Sequence, residues 1–522
     1  MNVMVPLLVG IPLGAAFLVV ILAHVKGLSG LPRVLSVLAV AACLAIGIVL
    51  MAGACGDPHQ THTIFAGGWD GTNGPIGVAM VYDGLSGMMI IVINMVALAA
   101  ICFAVAYMKR FTSRWLFHAL FLLMTGAMNG VVLAGDLFNM YVFIEVAAIS
   151  SYGLVAFGCE KAELEAAFRY LVLGVIASTF ILVGVTILYA LTGQLNMAKV
   201  ASGIAGLAGP AGWSARPAVL LAAACLLGGL ALKAAMVPFH SWLPDAHPSA
   251  PAPISAMLSG VLIKAAGAYA LARIVFNVLG ASPSYANVLI VMGTLSMLIG
   301  VFLAVGQWDF KRLLAYHSIS QMGYVVLAIG AGAAVAARGG SDAIAGLCLL
   351  GGLFHMFNHA AFKSLLFLTS GSVEHATGTR HLKDLGGLAK RMPVTSFCCR
   401  VGALSIAGVP PFNGFVSKLI IIIALVMAGY PILAALAVLV ALMTLLSFIK
   451  VQRYALEGDT SPQTASVRES AWPMGLGMVA LAVVCIVAGV AVWPLKQFLF
   501  DPAGEALLRG ALGAVRAAGG AP

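Results

Sequence analysis

The chain has 522 residues, of which 62% are hydrophobic and only 9% are charged, and its mean hydropathy is +1.05. A soluble protein of this length could not stay dispersed in water with so few charges, so a water-soluble enzyme or binding domain is excluded. The formal net charge of +10 does not indicate a nucleic-acid partner, because the basic residues are distributed over alternate loops.

Apolar runs of about 20 residues, each long enough to cross a bilayer, follow one another along the chain. They predict an all-α polytopic membrane protein with about 14 transmembrane helices. The predicted spans are residues 3–24, 33–53, 80–107, 115–134, 137–158, 166–192, 217–243, 252–277, 285–306, 313–335, 342–371, 396–428, 430–450 and 474–496. The first run lacks a basic n-region and a convincing cleavage site, so we expect a retained span and not a removable signal peptide.

Lysine and arginine concentrate in every second loop, such as 109–114 and 380–391, whereas loops 54–79 and 279–285 carry few or none. By the positive-inside rule the basic loops are cytoplasmic, and an even number of spans then places both termini on the opposite side. The long outer loop 54–79 is rich in Gly and Asp and is expected to be an irregular surface cap. The Ala/Gly-rich tail 501–522 is expected to form at most a small surface helix.

Two predicted spans contain a Pro-Phe pair with a lysine nearby. The seventh span carries AAMVPFHSWLP beside Lys233, and the twelfth carries IAGVPPFNGFVSK, which ends on Lys418. Proline removes a backbone donor and breaks the helix, and broken backbone inside a membrane must be buried in protein or line a wet cavity. Broken helices at matching positions of two halves are typical of inverted repeats in transporters. We therefore expect two inverted five-helix repeats, spans 4–8 and 9–13, with broken helices 7 and 12. The expected divisions are residues 1–112, 113–278, 279–452 and 453–522.

One glutamate and four lysines stand out deep inside predicted spans: Glu145, Lys233, Lys264, Lys363 and Lys418. Each costs at least about 2.5–3.5 kcal/mol at mid-bilayer, and a single acid cannot neutralise four lysines. One alternative is that each lysine only locks helices together by pairing with a carbonyl or an acid. The other is proton exchange, since a desolvated lysine can release its proton at neutral pH whereas an arginine cannot.

Histidines accompany the lysines. His355 and His359 precede Lys363 at spacings of eight and four residues, which places all three on one helical face. His317 lies in LLAYHSISQMGY beside hydroxyl and amide groups that can hold water. A lone histidine in an apolar helix is more often structural than functional, and for His355 that alternative stays open.

His240 and His247, with Trp242 and Asp245, fall at the cytoplasmic end of the seventh span. Helix capping is at least as good an explanation for them as a place where protons enter.

The cysteines and glycines give no cofactor motif. Nine cysteines are scattered without a CxxC pair, and no histidine stands at zinc-ligand spacing from them. No phosphate-binding loop is present either. The sequence therefore predicts no metal and no cofactor in this chain.

Several long motifs resemble one known family: DLFNMYVFIE, LKAAMVPFHSWLPDAHPSAPAPISAMLSGVLIKAAGAYALAR, DFKRLLAYHSISQMGYV, FNHAAFKSLLFLTSGSVEHATGT and GVPPFNGFVSK. They are similar to the antiporter-like subunits shared by respiratory complex I, Mrp-type cation/proton antiporters and membrane-bound hydrogenases. The resemblance covers about residues 80–450, and HPSAPAPISAMLSG and SVEHATGTR are most similar to the hydrogenase-type and Mrp D-type branch.

The resemblance implies roles by position. Glu145 matches the fifth-span glutamate that pairs with the seventh-span lysine, here Lys233, and Lys264 matches the eighth-span lysine that connects two half-channels. His359 matches the eleventh-span histidine, and Lys418 the terminal residue of the twelfth span. The largest complex I member continues into a long lateral helix, so this chain resembles the shorter members.

Together these observations predict a proton-translocating, or Na⁺/H⁺-exchanging, subunit of a complex-I-like oxidoreductase such as a membrane-bound hydrogenase. The proton-carrying residues would be Glu145, Lys233, Lys264, His317, His355, His359, Lys363 and Lys418. Expected partners are lipid, further antiporter-like subunits and a peripheral electron-transfer module, in the inner membrane of a prokaryote. One alternative is a subunit of a stand-alone Mrp-type antiporter, and another is an inert membrane scaffold.

Overall fold

The computed structural model describes residues 3–25, 30–54, 61–65, 77–207 and 217–509. The helices of the first half are α1 (Met4–Ala23), α2 (Leu31–Ala54), α3 (Gly84–Tyr107), α4 (Arg114–Leu133), α5 (Leu137–Val155), α6 (Lys161–Thr192), α7 (Met197–Leu207), α8 (Pro217–Lys233), α9 (Leu243–Ser249), α10 (Ala252–Met257) and α11 (Ala270–Arg273). Those of the second half are α12 (Pro283–Val305), α13 (Phe310–Ala337), α14 (Asp342–Thr377), α15 (Leu388–Arg391), α16 (Pro393–Ala407), α17 (Asn413–Met427), α18 (Pro431–Val451), α19 (Trp472–Val490), α20 (Val492–Leu495) and α21 (Asp501–Leu508).

Within the described residues, twelve helical segments are long and apolar enough to cross a membrane. One of them is the continuous segment Ala252–Val278, which contains α10 and α11. The all-α polytopic class is therefore confirmed. The seventh and twelfth predicted spans are absent from these twelve because each is divided into two shorter helices. The total of 14 spans, the inverted repeats and the four sequence divisions remain predictions.

Both breaks lie at the Pro-Phe pairs. In the seventh span, α8 ends at Lys233 and α9 begins at Leu243, with Pro238 in the non-helical segment between them. In the twelfth span, α16 ends at Ala407 and α17 begins at Asn413. The expectation of broken helices 7 and 12 is thus met at the residues that carry the prolines.

The helices form a buried centre and a lipid-facing periphery. In the most hydrophobic stretch of the segment Ala252–Val278, 100% of the residues are buried within the protein. In the corresponding stretch of α13 the share is 94%. In α1 and α6 the corresponding share is 39%, and large apolar side chains such as Phe168 point outward. An apolar surface of this kind is the surface expected to face lipid. The central segments are therefore where buried polar groups can collect.

The central segment Ala252–Val278 departs from α-helical geometry. Its π-helical turns are Leu258–Leu262, Lys264–Tyr269 and Ile274–Val278. Such turns are rare and are frequent at functional sites, because they leave backbone groups outside the regular hydrogen-bond ladder. Lys264 begins one of them.

The outer loop is more regular than expected. Strand β1 (His62–Phe65) pairs antiparallel with β2 (Ala79–Tyr82), in the register His62 to Tyr82, so the expectation of an irregular cap was wrong for these residues. Strand pairing provides hydrogen-bond partners for the backbone N–H and C=O groups at the two ends of the loop. The glycine-rich composition of the loop did not indicate this pairing. The central part of the loop, 66–76, lies outside the described residues.

The tail was also misjudged. Helix α21 was expected to be a surface helix, but its residues Pro502, Ala503 and Leu507 are buried. It packs so closely on α3 that a Cβ added to Gly84 would lie 2.3 Å from the carbonyl carbon of Pro502. Residues 510–522 lie outside the described part of the chain.

Candidate functional site

The buried acid–base pair expected from the sequence is present at the end of α8. Lys233 is the last residue of this helix, and its side chain is 7% exposed. Its Nζ lies 3.4 Å from Oε1 of Glu145 on α5. The hydroxyl of Ser178 on α6 donates a hydrogen bond to the same oxygen. Three helices therefore meet at one carboxylate, and Ser178 was not anticipated because hydroxyls are common in membrane helices.

The break that follows Lys233 is folded into the protein, where its backbone groups find partners. The indole Nε1 of Trp242 donates to the carbonyl of Leu232 at 3.1 Å. The N–H of Val237 donates to Oγ of Ser296 at 2.9 Å. Broken backbone at membrane depth requires such partners, so the break is a stable part of the fold.

A small cavity separates Lys233 from the helix that carries Lys264. The volume that the centre of a water molecule can occupy in this cavity is about 10 Å³. Leu262 and Ala266 also line the cavity. This volume is close to the minimum needed for one water. In the described part of the chain no direct hydrogen bond joins Lys233 to Lys264, so a proton passing between them would need water.

Lys264 is fully buried in the centre of the protein. Its Nζ donates to the carbonyl of Ser259 at 2.7 Å, five residues earlier in a region of π-helical turns. The hydroxyl of Ser259 lies 2.7 Å from that of Ser318 on α13. A backbone carbonyl thus takes the place of a carboxylate as the partner of this amine.

One face of α14 carries the row expected from the sequence. His355, His359 and Lys363 are all fully buried. His355 bridges two neighbouring helices, with Nδ1 2.9 Å from Oγ of Ser417 and Nε2 3.2 Å from Oε1 of Gln321. By contrast, both ring nitrogens of His359 and Nζ of Lys363 have no hydrogen-bond partner among the described residues. His355 therefore has a structural function at least, whereas His359 and Lys363 are free to bind water.

Lys418 lies in the second turn of α17, next to the second break. Its Nζ donates to the carbonyl of Ile406, at the end of α16, at 2.7 Å. The same Nζ lies 5.3 Å from the centroid of the Tyr324 ring, and Gly408 beside it has a φ of 80°. A side chain at Gly408 would strain the backbone and crowd Lys418, because its Cβ would lie 3.1 Å from Cδ of that lysine.

His317 is fully buried on α13, with its ring centroid 5.1 Å from that of Phe448. Neither of its ring nitrogens has a partner in the described ranges. The charges of Lys363 and Lys418 act on it, and the charges of Lys264 and Lys363 act on His359. These groups therefore belong to one electrostatic cluster. The small cavity lies between Lys233, which pairs with Glu145, and the segment that carries Lys264.

Three charged contacts were not anticipated. Lys311 looked like a loop residue, but it is 2% exposed and pairs with Glu374 at 2.8 Å. Arg380 pairs with Asp309 at 2.5 Å. Arg273 was not recognised as a deep basic group, yet it is buried and lies 2.6 Å from Asp83. The pairing partners come from distant parts of the chain, and a single sequence does not indicate them.

Within the described ranges, no three His, Cys, Asp or Glu side chains are grouped so that they could hold a metal ion. The expectation of no metal and no cofactor in this chain remains a prediction.

Fold and site together define a polytopic helical membrane protein in which buried amines and imidazoles meet between two broken helices. The family described as NADH:quinone oxidoreductase/Mrp antiporter, transmembrane, matches residues 134–444. The chain belongs to this family, and the resemblance drawn from its motifs is confirmed.

Individual relatives come from several kinds of complex. The chain is 32% identical over 511 residues to the D-type subunit of the Na(+)/H(+) antiporter of Alkalihalophilus pseudofirmus, covering 97% of this chain and 96% of the relative. It is 37% identical over 435 residues to NADH-quinone oxidoreductase subunit N of Desulforudis audaxviator, with 82% of each covered. It is 32% identical to hydrogenase-4 component B of Escherichia coli, covering 64% of this chain and 49% of that relative.

Two solved structures match along the whole chain. One is the Mrp complex from Dietzia sp. DQ12-45-1b, with a TM-score of 0.85, 29% identity, and coverage of 98% of this chain and 99% of that chain. The other is the membrane-bound sulfane sulfur reductase, an archaeal respiratory membrane complex, with a TM-score of 0.85, 29% identity, and coverage of 99% and 100%. Both structures are assemblies, so the structural relatives of this chain function beside other subunits.

Proposed function

We propose that this chain is a proton-translocating subunit of a multi-subunit complex in the cytoplasmic membrane of a prokaryote. The observation that carries the proposal is the cluster of Lys264, His359 and Lys363, all fully buried and within reach of one another's charge. Burying several cationic groups together inside a membrane is costly. Such groups are therefore rare there, and they mark ion pathways and proton relays. The relay would comprise Glu145, Lys233, Lys264, His317, His355, His359, Lys363 and Lys418.

The geometry suggests how the relay could work. While Glu145 stays near Lys233, its carboxylate favours the ammonium form of that lysine. When the pair separates, Lys233 releases its proton through water in the small cavity towards Lys264. From there His359 and Lys363 carry it towards Lys418 next to the second break. Each step transfers one proton between neighbouring nitrogen or oxygen atoms and leaves the donor neutral or anionic.

We further propose that partner subunits supply the energy that separates Glu145 from Lys233. The leading form is a complex-I-like oxidoreductase with a peripheral electron-transfer module. The similarity to subunit N of an NADH-quinone oxidoreductase and to a chain of a respiratory sulfane sulfur reductase complex supports it. Exchange of Na⁺ for H⁺ by this subunit is included in the proposal.

A stand-alone Mrp-type cation/proton antiporter is the second candidate, and it is equally well supported. The similarity to the D-type subunit of a Na(+)/H(+) antiporter extends over 97% of this chain, and the Mrp complex matches with a TM-score of 0.85. Isolating the native complex and identifying its other subunits would separate the two candidates. Redox proteins would favour the first, and a complex made only of membrane subunits would favour the second.

The relay itself is tested by Lys264→Ala in the intact complex, with Lys199→Ala as the control because Lys199 is exposed on α7. Proton movement is followed with a pH-sensitive dye in inside-out vesicles, driven either by the native electron donor or by added Na⁺. Lys264→Ala should abolish transport while the complex stays assembled, and Lys199→Ala should not change it. Unchanged transport in Lys264→Ala would refute the proposed function.

A further inference from the structure

Polar side chains continue along the face of α14 beyond Lys363 towards the end of the helix. Ser370 and Glu374 follow Lys363 by seven and eleven residues, which is about two and three helical turns, so the three side chains share one face. Lys363 is fully buried and Ser370 is 1% exposed. The side chain of Glu374 is 21% exposed. The row therefore runs from the buried cluster to the surface that the basic loops identify as cytoplasmic.

The inner members of this row have free hydrogen-bonding capacity. Nζ of Lys363 and Oγ of Ser370 have no hydrogen-bond partner anywhere in the described part of the chain. Buried polar groups in proteins are nearly always bonded, to the protein or to ordered water. Two such groups on one face, leading to a partly exposed carboxylate, provide hydrogen-bonding sites for water along that face.

His247 lies beside this row. It is part of α9 and fully buried, and neither ring nitrogen has a partner among the residues that the structure describes. Its ring centroid is 5.8 Å from that of Phe367, which α14 carries between Lys363 and Ser370. The charges of Lys363 and Lys264 act on it. A helix-capping role would require a hydrogen bond that His247 does not make here, so its imidazole is available for another purpose.

The segment that follows His247 is fixed against α14 by the charged groups at the surface. Lys311 donates to the carbonyl of Ala250 at 3.2 Å and pairs with Glu374 at 2.8 Å. Arg380 donates to the carbonyl of Pro248 at 2.9 Å. Lys311 thus contacts both Glu374, at the end of the row, and the segment that carries His247. These contacts hold Glu374 and His247 in fixed positions relative to each other.

We propose that Glu374, Ser370 and His247 form a proton inlet from the cytoplasmic surface to Lys363, an inference that rests on the proposed function. Glu374 accepts a proton from surface water in the presence of Lys311 and Arg380. Glu374 gives this proton to water held by Ser370 as that water passes a proton on to His247, and the imidazolium then gives its other proton to neutral Lys363. His247 returns to the neutral form, Lys363 becomes an ammonium, and only N–H and O–H bonds are exchanged. Lys264 and His359 are the titratable groups that face Lys363, and from Lys363 the proton continues along the proposed relay towards Lys418.

The test uses the intact complex in inside-out vesicles, with the initial rate of proton translocation as the readout and native gels as the check on assembly. His247→Gln should lower the rate about a hundredfold or more, the scale on which a positioned proton carrier acts. His381→Gln is the matched control, because His381 is exposed near the same surface, and its rate should equal that of the wild type.

Glu374 provides a readout that distinguishes a proton carrier from a side chain that only fills space. Glu374→Gln keeps the size of the side chain but cannot carry a proton, whereas Glu374→Asp keeps a carboxyl group that is one carbon shorter. A proton carrier predicts a higher rate for Glu374→Asp than for Glu374→Gln, and a packing role predicts the reverse order. The reverse order would overturn the inlet.

The inlet and the relay fail in different ways. If Lys264→Ala abolishes transport while assembled His247→Gln and Glu374→Gln complexes keep the wild-type rate, the inlet is wrong and the relay stands. If Lys264→Ala itself transports normally, the proposed function is wrong. Should His247→Gln fail to assemble, Ser370→Ala decides, because it removes only one hydroxyl. An unchanged rate in that variant would overturn the inlet.

Discussion

Removing Arg273 should destabilise the protein by an amount that can be worked out from its contacts. Nη2 of Arg273 lies 2.6 Å from Oδ1 of Asp83, and both side chains are 9% exposed. The guanidinium also donates to the hydroxyl of Tyr269 at 3.0 Å and to Oδ1 of Asn277 at 3.1 Å. In Arg273→Met the apolar stem keeps most of the packing, but the Asp83 carboxylate is left buried without its counter-ion.

Breaking a buried ion pair by removing one partner costs about 3–5 kcal/mol, because the remaining charge is uncompensated. Asp83 also accepts a hydrogen bond from the backbone N–H of Ser86 at 2.9 Å and caps α3. Asparagine is an equally good N-cap, so Asp83→Asn removes the charge and keeps the cap. The double variant Arg273→Met/Asp83→Asn should therefore recover about 2 kcal/mol or more of the loss seen in Arg273→Met.

The measurement is the unfolding free energy of the purified protein in mixed micelles, obtained by titration with a denaturing detergent for the wild type, both single variants and the double variant. The reasoning would be refuted by an Arg273→Met protein as stable as the wild type. It would equally be refuted by a double variant whose loss equals the sum of the two single losses, since the pair would then contribute no coupling.

Two further predictions concern packing and pH. Gly267→Ala should cost about 1–3 kcal/mol and slow transport, because the new Cβ would lie 2.6 Å from Cα of Ala234 in the first break. Gly228→Ala, where nothing lies within 4 Å, should keep both stability and transport, and an equal loss in the two variants would contradict this explanation. Burial raises the pKa of Asp136, so the folded protein holds this proton more tightly than the unfolded chain, and the ionised form is destabilising at neutral pH. Asp136→Asn keeps an acceptor for the N–H of Asn139, now at 2.6 Å, and should raise the melting temperature at neutral pH by an amount that shrinks as the pH is lowered; a difference independent of pH would count against it.

The parts of the site that could be predicted from sequence follow from strong local rules. Proline removes a backbone donor and clashes with the preceding turn, and although α1 continues through Pro12, the Pro-Phe pairs with a nearby lysine located both breaks at Pro238 and Pro411. A charge inside an apolar run is costly in any membrane protein, so Lys233, Lys264 and Lys418 stood out without a structure.

The parts that could not be predicted depend on contacts between distant segments. Lys311 lies outside the predicted spans, and only the packing of α13 against α14 shows that Glu374 covers it. The π-helical turns around Lys264 replace a regular helix without any proline or local run of glycine to indicate them. Similarly, the burial of α21 depends on the close approach of Gly84 to Pro502, which composition does not reveal.

The irregular helices also explain how buried lysines can be held without enough carboxylates. Lys264 donates to the carbonyl of Ser259 in π-helical surroundings, and Lys418 to the carbonyl of Ile406 at the end of a broken helix. Lys233 is itself the last residue of a broken helix. Carbonyl groups at such places carry partial negative charge, and they stabilise a nearby cation by up to about 2 kcal/mol, far less than a buried carboxylate can. Backbone partners would therefore hold the ammonium forms of Lys264 and Lys418 without locking them, as the proposed relay requires. Among the lysines of the proposed relay, only Lys233 pairs with a carboxylate in the described part of the chain, and in that proposal the separation of Glu145 decides when its proton leaves.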